Sequence, residues 1–333
     1  MEYRKLGQHG PRVSAVGLGC MGMSHAYGAP ADRKQMTEFL AQAVDMGYTF
    51  FDTAEVYGTP DRPHDNEELL GEALRPYRDR VVIATKFGIR FDTESGITPY
   101  PLTTDSRSET IRRSIEGSLR RLHTDHIDLY WQHRVDSHVP VEDVAGTVQK
   151  LMREGKVLHW GISEATEIVV RRAHAVCPLT AVQNRYSMMA RWHEALFPVL
   201  EELGIGFVAF SPLANGLLSD RYTAASRFDP STDYRAAMPQ FREESFEKNR
   251  ELLSLLRRLA AEKGSTPAQI SLAWMLCKRP WIVPIPGTRR ADRLRENAGA
   301  TGIRLSEEEL REIDRMLDTM PMSGVFGGTA VKE

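Results

Sequence analysis

Short apolar runs with β-like composition alternate along the chain with segments whose apolar residues recur at helical spacing. One helical segment carries Met36, Phe39, Leu40, Ala43 and Val44. Several runs, VVIAT and IDLYW among them, have apolar residues on both faces, which is typical of parallel strands that are covered on both sides. The eight β-like runs occupy residues 13–18, 49–52, 81–86, 127–132, 157–162, 180–183, 206–210 and 281–285.

This alternation predicts an α/β protein with a closed (β/α)8 barrel, the TIM-barrel architecture. We expect one domain over residues 1–333, because two doubly wound domains would need a Pro-, Gly- or Ser-rich linker and the middle of the chain has none. Before the first strand, YRKLGQHGPRVS has the pattern of a β-hairpin that could close the bottom of the barrel. Residues 90–107 and 217–241 are long loops after strands, so we expect them on the carboxyl-terminal face with the active site.

Composition narrows the range of partners. The chain has 43 Lys and Arg against 45 Asp and Glu, a formal charge of −2, which argues against nucleic acid or an anionic membrane as the main partner. It contains no apolar stretch near the ~18 residues of a membrane span and no apolar signal sequence at its start. The spacing of Cys20, Cys177 and Cys277 fits neither a disulfide framework nor a zinc site. We expect a cytoplasmic protein without a metal, either monomeric or homo-oligomeric.

The glycines of Gly17-Leu-Gly19-Cys-Met-Gly22 satisfy the spacing of a dinucleotide-binding fingerprint. A Rossmann turn, however, opens a helix directly at its glycines and has an acidic residue about 20 positions later. Here MSHAYGAPADR intervenes, and the next strand ends at Asp52. The motif by itself therefore does not indicate a Rossmann domain.

Ionisable side chains end or follow three consecutive predicted strands: Asp52 and Tyr57 in FFDTAEVYG, Lys86 in VVIATKFG and His133 in LYWQHRVD. Each has an ordinary structural explanation when taken alone, such as an ion pair or a rim aromatic. Together they would converge at one end of the barrel, where burial requires that they pair with one another. This convergence predicts a catalytic site.

At these residues the chain resembles the aldo-keto reductase superfamily, in particular a bacterial and plant branch that begins with sequences like GLGCMGMS. The motifs GYTFFDTAEVYG, LYWQHRVD, GKVLHWGISE, QNRYS, FSPLANGLL and IPGTRRADRLREN occur in the order and spacing of that family, nearly from end to end. The resemblance implies a catalytic tetrad of Asp52, Tyr57, Lys86 and His133.

Elementary chemistry agrees with those roles. Hydride reduction of a carbonyl leaves negative charge on oxygen, and Tyr57 is placed to supply the proton. The ammonium of Lys86 would lower the pKa of the phenol toward the working pH, and Asp52 would keep Lys86 protonated. His133 would orient and polarise the carbonyl group. The rival short-chain dehydrogenase chemistry needs a YxxxK motif, which this sequence lacks.

Candidate nucleotide contacts come late in the chain. Pro286-Gly287-Thr288-Arg289-Arg290 follows the last strand and precedes a predicted helix, so backbone amides, Arg289, Arg290 and Arg293 would attract a phosphate and favour NADPH over NADH. Met21 is a further candidate to touch cofactor or substrate. The resemblance adds nicotinamide contacts, a pyrophosphate loop and adenine contacts, although many relatives have Lys at position 287 and Asn at position 164. These implied contacts are Ser163, Gln183, Phe210, Ser211, Pro212, Leu213, Gly216, Gly287, Glu296 and Asn297.

The sequence thus predicts an NADPH-dependent reductase of aldehydes or ketones that works by direct hydride transfer to a small carbonyl substrate. A second function stays open, because some relatives are cofactor-sensing subunits of membrane channels with little turnover. An intact tetrad is compatible with both functions.

Overall fold

The computed structural model describes residues 1–97 and 101–326. Its strands are β1 (Tyr3–Lys5), β2 (Arg12–Ser14), β3 (Leu18–Gly19), β4 (Phe50–Asp52), β5 (Val82–Phe87), β6 (Ile89–Phe91), β7 (Leu102–Thr104), β8 (Ile127–Gln132), β9 (Val157–Ser163), β10 (Ala181–Arg185), β11 (Gly206–Phe210) and β12 (Ile282–Pro284). Its helices are α1 (Arg33–Asp45), α2 (Asp65–Leu74), α3 (Ser108–Arg121), α4 (Val141–Arg153), α5 (Glu167–Val176), α6 (Phe197–Leu203), α7 (Glu243–Lys248), α8 (Arg250–Glu262), α9 (Pro267–Lys278), α10 (Ala291–Gly299) and α11 (Glu307–Thr319). None of the helices in these two stretches is long and apolar enough to cross a membrane.

Eight strands form one parallel sheet in the order β3, β4, β5, β8, β9, β10, β11, β12. The two edges of this sheet meet. The backbone N–H of Gly17 donates to the carbonyl oxygen of Pro284 at 2.9 Å, and Gly19 forms a parallel bridge with Gly287. The predicted (β/α)8 barrel is therefore confirmed.

Two segments differ in detail from the sequence-based prediction. Within residues 13–18 only the last part pairs with β4, because Arg12–Ser14 turns back as the second strand of the hairpin. The long segment 90–107 is partly ordered, since β6 and β7 pair in an antiparallel hairpin; residues 98–100 lie outside the described part. Residues 217–241 contain short 3-10 turns.

The hairpin of β1 and β2 closes the amino-terminal end of the barrel, as expected. Leu6 is fully buried in the barrel interior, and the N–H of Gln8 donates to the carbonyl oxygen of Gly204 at 2.7 Å. Gly7 has a φ of +70°, and a Cβ there would lie 2.4 Å from the carbonyl oxygen of Thr180. Only glycine permits this close approach of the hairpin to the start of β10.

Side chains that point into the barrel change from apolar to polar along the strands. Phe50, Ala84 and Ala181 belong to the apolar interior cluster. Because alternate residues of a strand point to the same face, the next interior residues on β4, β5 and β10 are Asp52, Lys86 and Gln183. The whole apolar layer consists of Leu6, Val13, Phe50, Ala84, Leu129, Trp131, Ala181, Val208, Val283 and Ile285. Within the barrel interior, the polar side chains of these strands therefore lie at the carboxyl-terminal mouth.

A half-buried carboxylate, that of Glu55, connects the loop after β4 to the neighbouring elements. Oε1 of Glu55 accepts hydrogen bonds from the N–H of Gly88 at 3.2 Å and from Oγ of Ser114 in α3 at 3.1 Å. Burial raises the pKa of Glu55 to about 7 from an ordinary 4.5, and repulsion from Glu67 adds to the rise. This group holds the segment that carries Tyr57 against the end of β5.

Gly161 in β9 provides a test of barrel packing. A Cβ there would lie 2.2 Å from the carbonyl oxygen of Ala181 and 2.3 Å from Cζ3 of the buried Trp131 ring. Because neither neighbour can move freely, Gly161→Ala should lower the free energy of unfolding by about 1–3 kcal/mol, measured by urea denaturation. The matched control is Gly146→Ala in α4, where no neighbouring heavy atom lies within 4 Å of the added Cβ. This change should raise the free energy of unfolding by up to about 1 kcal/mol. Equal effects of the two changes would contradict this packing.

Glu55 should make stability depend on pH. Its pKa is higher in the folded protein than the ordinary value, so the folded state holds the proton more tightly. This contribution to stability is present at low pH and is lost as the pH rises through about 7. The melting temperature of Glu55→Gln should therefore rise relative to that of the unchanged protein between about pH 5 and about pH 8. The exposed Glu38 in α1 supplies the control Glu38→Gln; a similar drift in both variants would contradict the assignment.

Candidate active site

A buried ion pair lies at the carboxyl-terminal end of the barrel interior. Nζ of Lys86 donates hydrogen bonds to Oδ1 of Asp52 and, at 2.8 Å, to the carbonyl oxygen of Thr53. The second carboxylate oxygen of Asp52 accepts from Nε2 of Gln183 at 2.7 Å. The side chains of Lys86 and Asp52 are only 1% and 4% exposed. Each charge is thus paired and hydrogen-bonded, which is what burial requires.

The Lys86 amine stays protonated in this environment. Burial by itself lowers the pKa of a lysine, but the attraction of Asp52 and of the Tyr57 oxygen outweighs it and leaves the pKa above its ordinary 10.5. The expectation that Asp52 keeps Lys86 charged agrees with this balance. A fixed positive charge therefore faces the Tyr57 ring.

Tyr57 lies in the turn that follows β4. Its N–H donates to the carbonyl oxygen of Ala54 at 3.2 Å, and Nζ of Lys86 is 4.8 Å from the centre of its ring. Burial raises the pKa of Tyr57 above 10, and the opposing effect of the Lys86 ammonium does not cancel the rise. The predicted effect of Lys86, a lower pKa of the phenol, is present with the expected sign, but the effect of desolvation is larger.

His133 completes the group of four side chains. Its ring meets the Tyr57 ring edge-on, with 5.6 Å between the ring centres. Burial, and then the nearby charges of Arg134 and Lys86, hold the pKa of His133 well below 6.5, so the ring is neutral. Its Nδ1 is buried and has no hydrogen-bond partner among residues 1–97 and 101–326. The structure thus brings Asp52, Tyr57, Lys86 and His133 together, as their positions in the sequence predicted.

Three predicted nicotinamide contacts lie on neighbouring strands at the same mouth. Ser163 is buried and its hydroxyl accepts from Nη1 of Arg134 at 3.1 Å, which leaves its own proton available for donation. Gln183 uses Nε2 to bond Asp52, and its Oε1 has no hydrogen bond within the described residues. A carboxamide group has both a donor and an acceptor, so it fits this pair. Phe210 is half-buried at the end of β11 and offers a ring face.

The segment after β11 has unusual backbone geometry. Ser211, Ala214 and Asn215 have φ values of 51°, 47° and 60°, and Gly216 has a φ of 106°. Left-handed backbone at non-glycine residues is costly and concentrates at binding sites. Such turns point successive N–H groups toward one side and suit a phosphate group. Pro212 and Leu213 belong to the same turn.

The residues predicted to hold the adenosine end of the cofactor differ in their exposure and in the partners that they already have. Gly287 and Thr288 lie at the surface, where α10 begins shortly afterwards. Nη1 of Arg293 pairs with Glu296 at 2.9 Å, and Arg221 reaches the same carboxylate at 3.2 Å. Asn297 is buried one position later. Both Arg293 and Glu296 therefore already have partners that a ligand would share.

Arg289 takes a structural position instead of an open one. Its Nε donates to the carbonyl oxygen of Gly22 and its Nη1 to that of Ala29 at 3.0 Å, so two of its donors fix the loop after β3. Met21 lies in the 3-10 turn of that loop and is half-exposed. This clamp leaves Nη2 of Arg289 without a hydrogen-bond partner in the part of the chain that is described.

The loop after β3 and the segment 217–241 meet across the mouth. The N–H of Gly28 donates to the carbonyl oxygen of Thr232 at 3.0 Å, and the N–H of Tyr234 donates to that of Ala26 at 2.9 Å. Nδ2 of Asn215 donates to the hydroxyl of Tyr27 at 2.7 Å. The segment 217–241 therefore lies on the face that the sequence predicted for the site, together with the loop after β3.

Two site residues were missed by sequence reasoning. Arg185 and Arg134 both approach the Phe210 ring, with their guanidinium carbons 4.9 Å and 6.0 Å from its centre. The signal for Arg185 was its spacing of two residues from Gln183, which puts both side chains on the interior face of β10. Arg134 directly follows His133 beyond the end of a strand, where no pattern predicts its direction.

The comparisons with known proteins cover the barrel and the site together. Residues 15–318 match the model of the Aldo/keto reductase family. A relative from Glycine max, described as a probable aldo-keto reductase 1, is 40% identical over 326 residues, which span 97% of this chain and 90% of that protein.

Solved structures give the same result. A glycerol dehydrogenase from Gluconobacter oxydans has a TM-score of 0.85 at 27% identity, over 96% of this chain and 95% of that one. The holo form of an aldo-keto reductase from Bacillus halodurans has a TM-score of 0.76 at 25% identity, over 98% of both chains. The family match and the close relative confirm the resemblance, and the chain belongs to the aldo/keto reductase family of oxidoreductases.

Proposed function

We propose that this protein is a single-domain, NADPH-dependent reductase that converts aldehydes or ketones to alcohols. The observation that carries the proposal is the buried, hydrogen-bonded Lys86–Asp52 pair beside the Tyr57 phenol. Family membership supports an oxidoreductase that acts on small carbonyl compounds with a nicotinamide cofactor.

In this mechanism the bound nicotinamide supplies the hydride that reaches the carbonyl carbon. Tyr57 donates its proton to the carbonyl oxygen as negative charge develops there, and the product is the alcohol. The Lys86 ammonium stabilises the resulting tyrosinate, and Asp52 holds that ammonium in place and charged. Tyr57 regains its proton from solvent before the next turnover.

His133 acts as a neutral group. Because its pKa is low, the His133 ring is uncharged at neutral pH. It can therefore position the carbonyl oxygen by a hydrogen bond, but it is not an imidazolium that would compete with Tyr57 as the proton donor. Its edge-on contact with the Tyr57 ring supports a role for both groups at the same substrate oxygen. The raised pKa of the phenol keeps Tyr57 protonated until the reaction.

For the cofactor we propose three groups of contacts. Ser163, Gln183 and the ring of Phe210 hold the nicotinamide, and the turn from Ser211 to Gly216 binds the pyrophosphate. Gly287, Thr288, the remaining Nη2 donor of Arg289, Arg293, Glu296 and Asn297 bind the adenosine end, with Arg293 near the 2′-phosphate. Met21 contacts the nucleotide from the loop after β3.

The direct test is loss of nicotinamide absorbance when purified protein is mixed with NADPH and 4-nitrobenzaldehyde. Turnover supports the reductase. Tight binding of NADPH without turnover of a panel of aldehydes, ketones and sugars would instead support a cofactor-sensing subunit.

Removal of the Tyr57 hydroxyl should separate chemistry from binding. We expect Tyr57→Phe to lower kcat by ~10²-fold or more, because the proton donor is lost, while NADPH affinity from fluorescence quenching stays nearly unchanged. Tyr3→Phe, at the opposite end of the barrel, is the control and should keep full activity. Wild-type kcat in the Tyr57 variant would refute the assignment of the acid.

Arg293 should set the preference for NADPH. Arg293→Ala removes a guanidinium that can pair with the 2′-phosphate, so NADPH affinity should fall about 10-fold or more while NADH affinity changes little. Arg311→Ala, an exposed arginine of α11, controls for the loss of one positive charge. Equal weakening of both cofactors would place Arg293 on the adenosine that they share.

A further inference from the structure

Arg185 is the last residue of β10 and points into the mouth of the barrel. Gln183, two residues earlier on the same strand, reaches Asp52 inside the barrel. Arg185 therefore lies on the same face, one layer nearer to solvent. Its neighbour across the sheet is Phe210 of β11.

Within the described part of the chain, the guanidinium of Arg185 has neither a carboxylate partner nor a hydrogen-bond acceptor. The residue is only 7% exposed. Yet in the described ranges no carboxylate oxygen lies within 4.0 Å of its guanidinium nitrogens, and none of them donates a hydrogen bond. Its contacts are aromatic: its guanidinium carbon is 4.9 Å from the centre of the Phe210 ring and 5.8 Å from that of Phe326. Cation–π contacts do not satisfy the five N–H donors of arginine.

Arg134 adds a second positive charge beside it. Its guanidinium carbon is 6.0 Å from the same Phe210 ring, and its Nη1 bonds to the hydroxyl of Ser163 and to the carbonyl oxygen of His133. No ion pair forms between Arg134 and any acidic residue within residues 1–97 and 101–326. Arg134 is close enough to Tyr57 to lower the pKa of the phenol slightly.

The acidic groups near the mouth are already engaged. Asp52 is bonded to Lys86 and Gln183. Oε1 of Glu164 accepts the backbone N–H of Arg185 at 2.8 Å and lies 3.6 Å from Nε2 of His193. Burial lowers the pKa of Arg185, which is the cost of holding this charge away from water. Among residues 1–97 and 101–326, the mouth therefore carries two arginines that form no ion pair with a carboxylate, and only the more distant charge of Glu164 acts on both.

We propose that Arg185, assisted by Arg134, is an anion-binding subsite of the substrate pocket, and that the preferred substrates are aldehydes or ketones that carry a carboxylate or a phosphate. A planar guanidinium binds either group through two parallel hydrogen bonds. The inference rests on the proposed reductase activity and names the substrate class of that same site.

The cofactor is the other source of an anion, but its phosphates have separate candidates. The left-handed turn of residues 211–216 and the start of α10 follow β11 and β12. Arg185 instead lies on β10, above Gln183 and beside Phe210, at the end assigned to nicotinamide and substrate. Its position therefore favours the substrate anion.

The test compares 4-carboxybenzaldehyde with 4-nitrobenzaldehyde at saturating NADPH, because the two aldehydes are similar in size and differ in charge. We expect a higher kcat/KM for the carboxylate. The ratio of the two kcat/KM values should fall about 10-fold or more in Arg185→Gln, and Arg185→Lys should recover part of it. Arg171→Gln, which removes an equal charge from a surface ion pair with Glu202, should leave the ratio unchanged.

Binding provides a readout that does not need turnover. Benzoate should bind to the NADP⁺-loaded protein in isothermal titration calorimetry, and Arg185→Gln should weaken it about 10-fold. If the protein reduces neither aldehyde, the proposed reductase activity fails, and benzoate binding still decides on the subsite. Should Arg185→Gln fail to fold, Arg134→Gln takes its place with a smaller expected loss.

Two results would overturn the inference. One is a ratio of kcat/KM values, or a benzoate affinity, that is the same with and without Arg185. The other is a loss of NADPH affinity in Arg185→Gln with an unchanged ratio, which would assign this arginine to the cofactor phosphates.

Discussion

The ion pair between Lys86 and Asp52 is the constraint on which the site depends. An ammonium that is 1% exposed persists only beside a fixed carboxylate and further acceptors. Here the Thr53 carbonyl is the second acceptor, and Nε2 of Gln183 donates to the other oxygen of Asp52 and so fixes that carboxylate. These groups come from β4, β5 and β10, so the pair also holds distant parts of the barrel in register. Any change that leaves one charge buried alone would cost several kcal/mol. Tyr57 and His133 take their positions around this fixed charge.

The rest of the barrel protects that arrangement from water and from movement. The hairpin of β1 and β2 closes one end, and below the ion pair the interior is filled by apolar side chains such as Phe50 and Trp131. At the other end the loops after β3 and β11 are joined by backbone hydrogen bonds. The energetically unfavourable backbone conformations are concentrated there, in the left-handed turn after β11, where contacts with a bound ligand can offset their free-energy cost.

The architecture and the four central residues were predictable because they depend on local patterns. The positions of Asp52 and Lys86 at strand ends indicated these residues, and the family resemblance implied Gln183. In the structure, period-two alternation puts all three on the interior side of their strands. The directions of the arginines were not predictable. Arg289 and Arg293 look equivalent in the motif, yet Arg289 clamps the loop after β3 while Arg293 pairs with Glu296. The direction of a long side chain depends on which partners lie near it, and only folding brings those partners together.

By itself the sequence determined the order of strands and helices, the barrel that they close, and the identity of the four groups at its mouth, since spacing and hydrophobic pattern act within a few residues. Only the tertiary structure decided the state of those groups. Burial raises the pKa of Tyr57 against the pull of Lys86 and keeps His133 neutral. It also decided that Arg185 lies buried and forms no ion pair with a carboxylate of residues 1–97 and 101–326. Desolvation and pairing depend on everything packed around a group, and that surrounding exists only after folding.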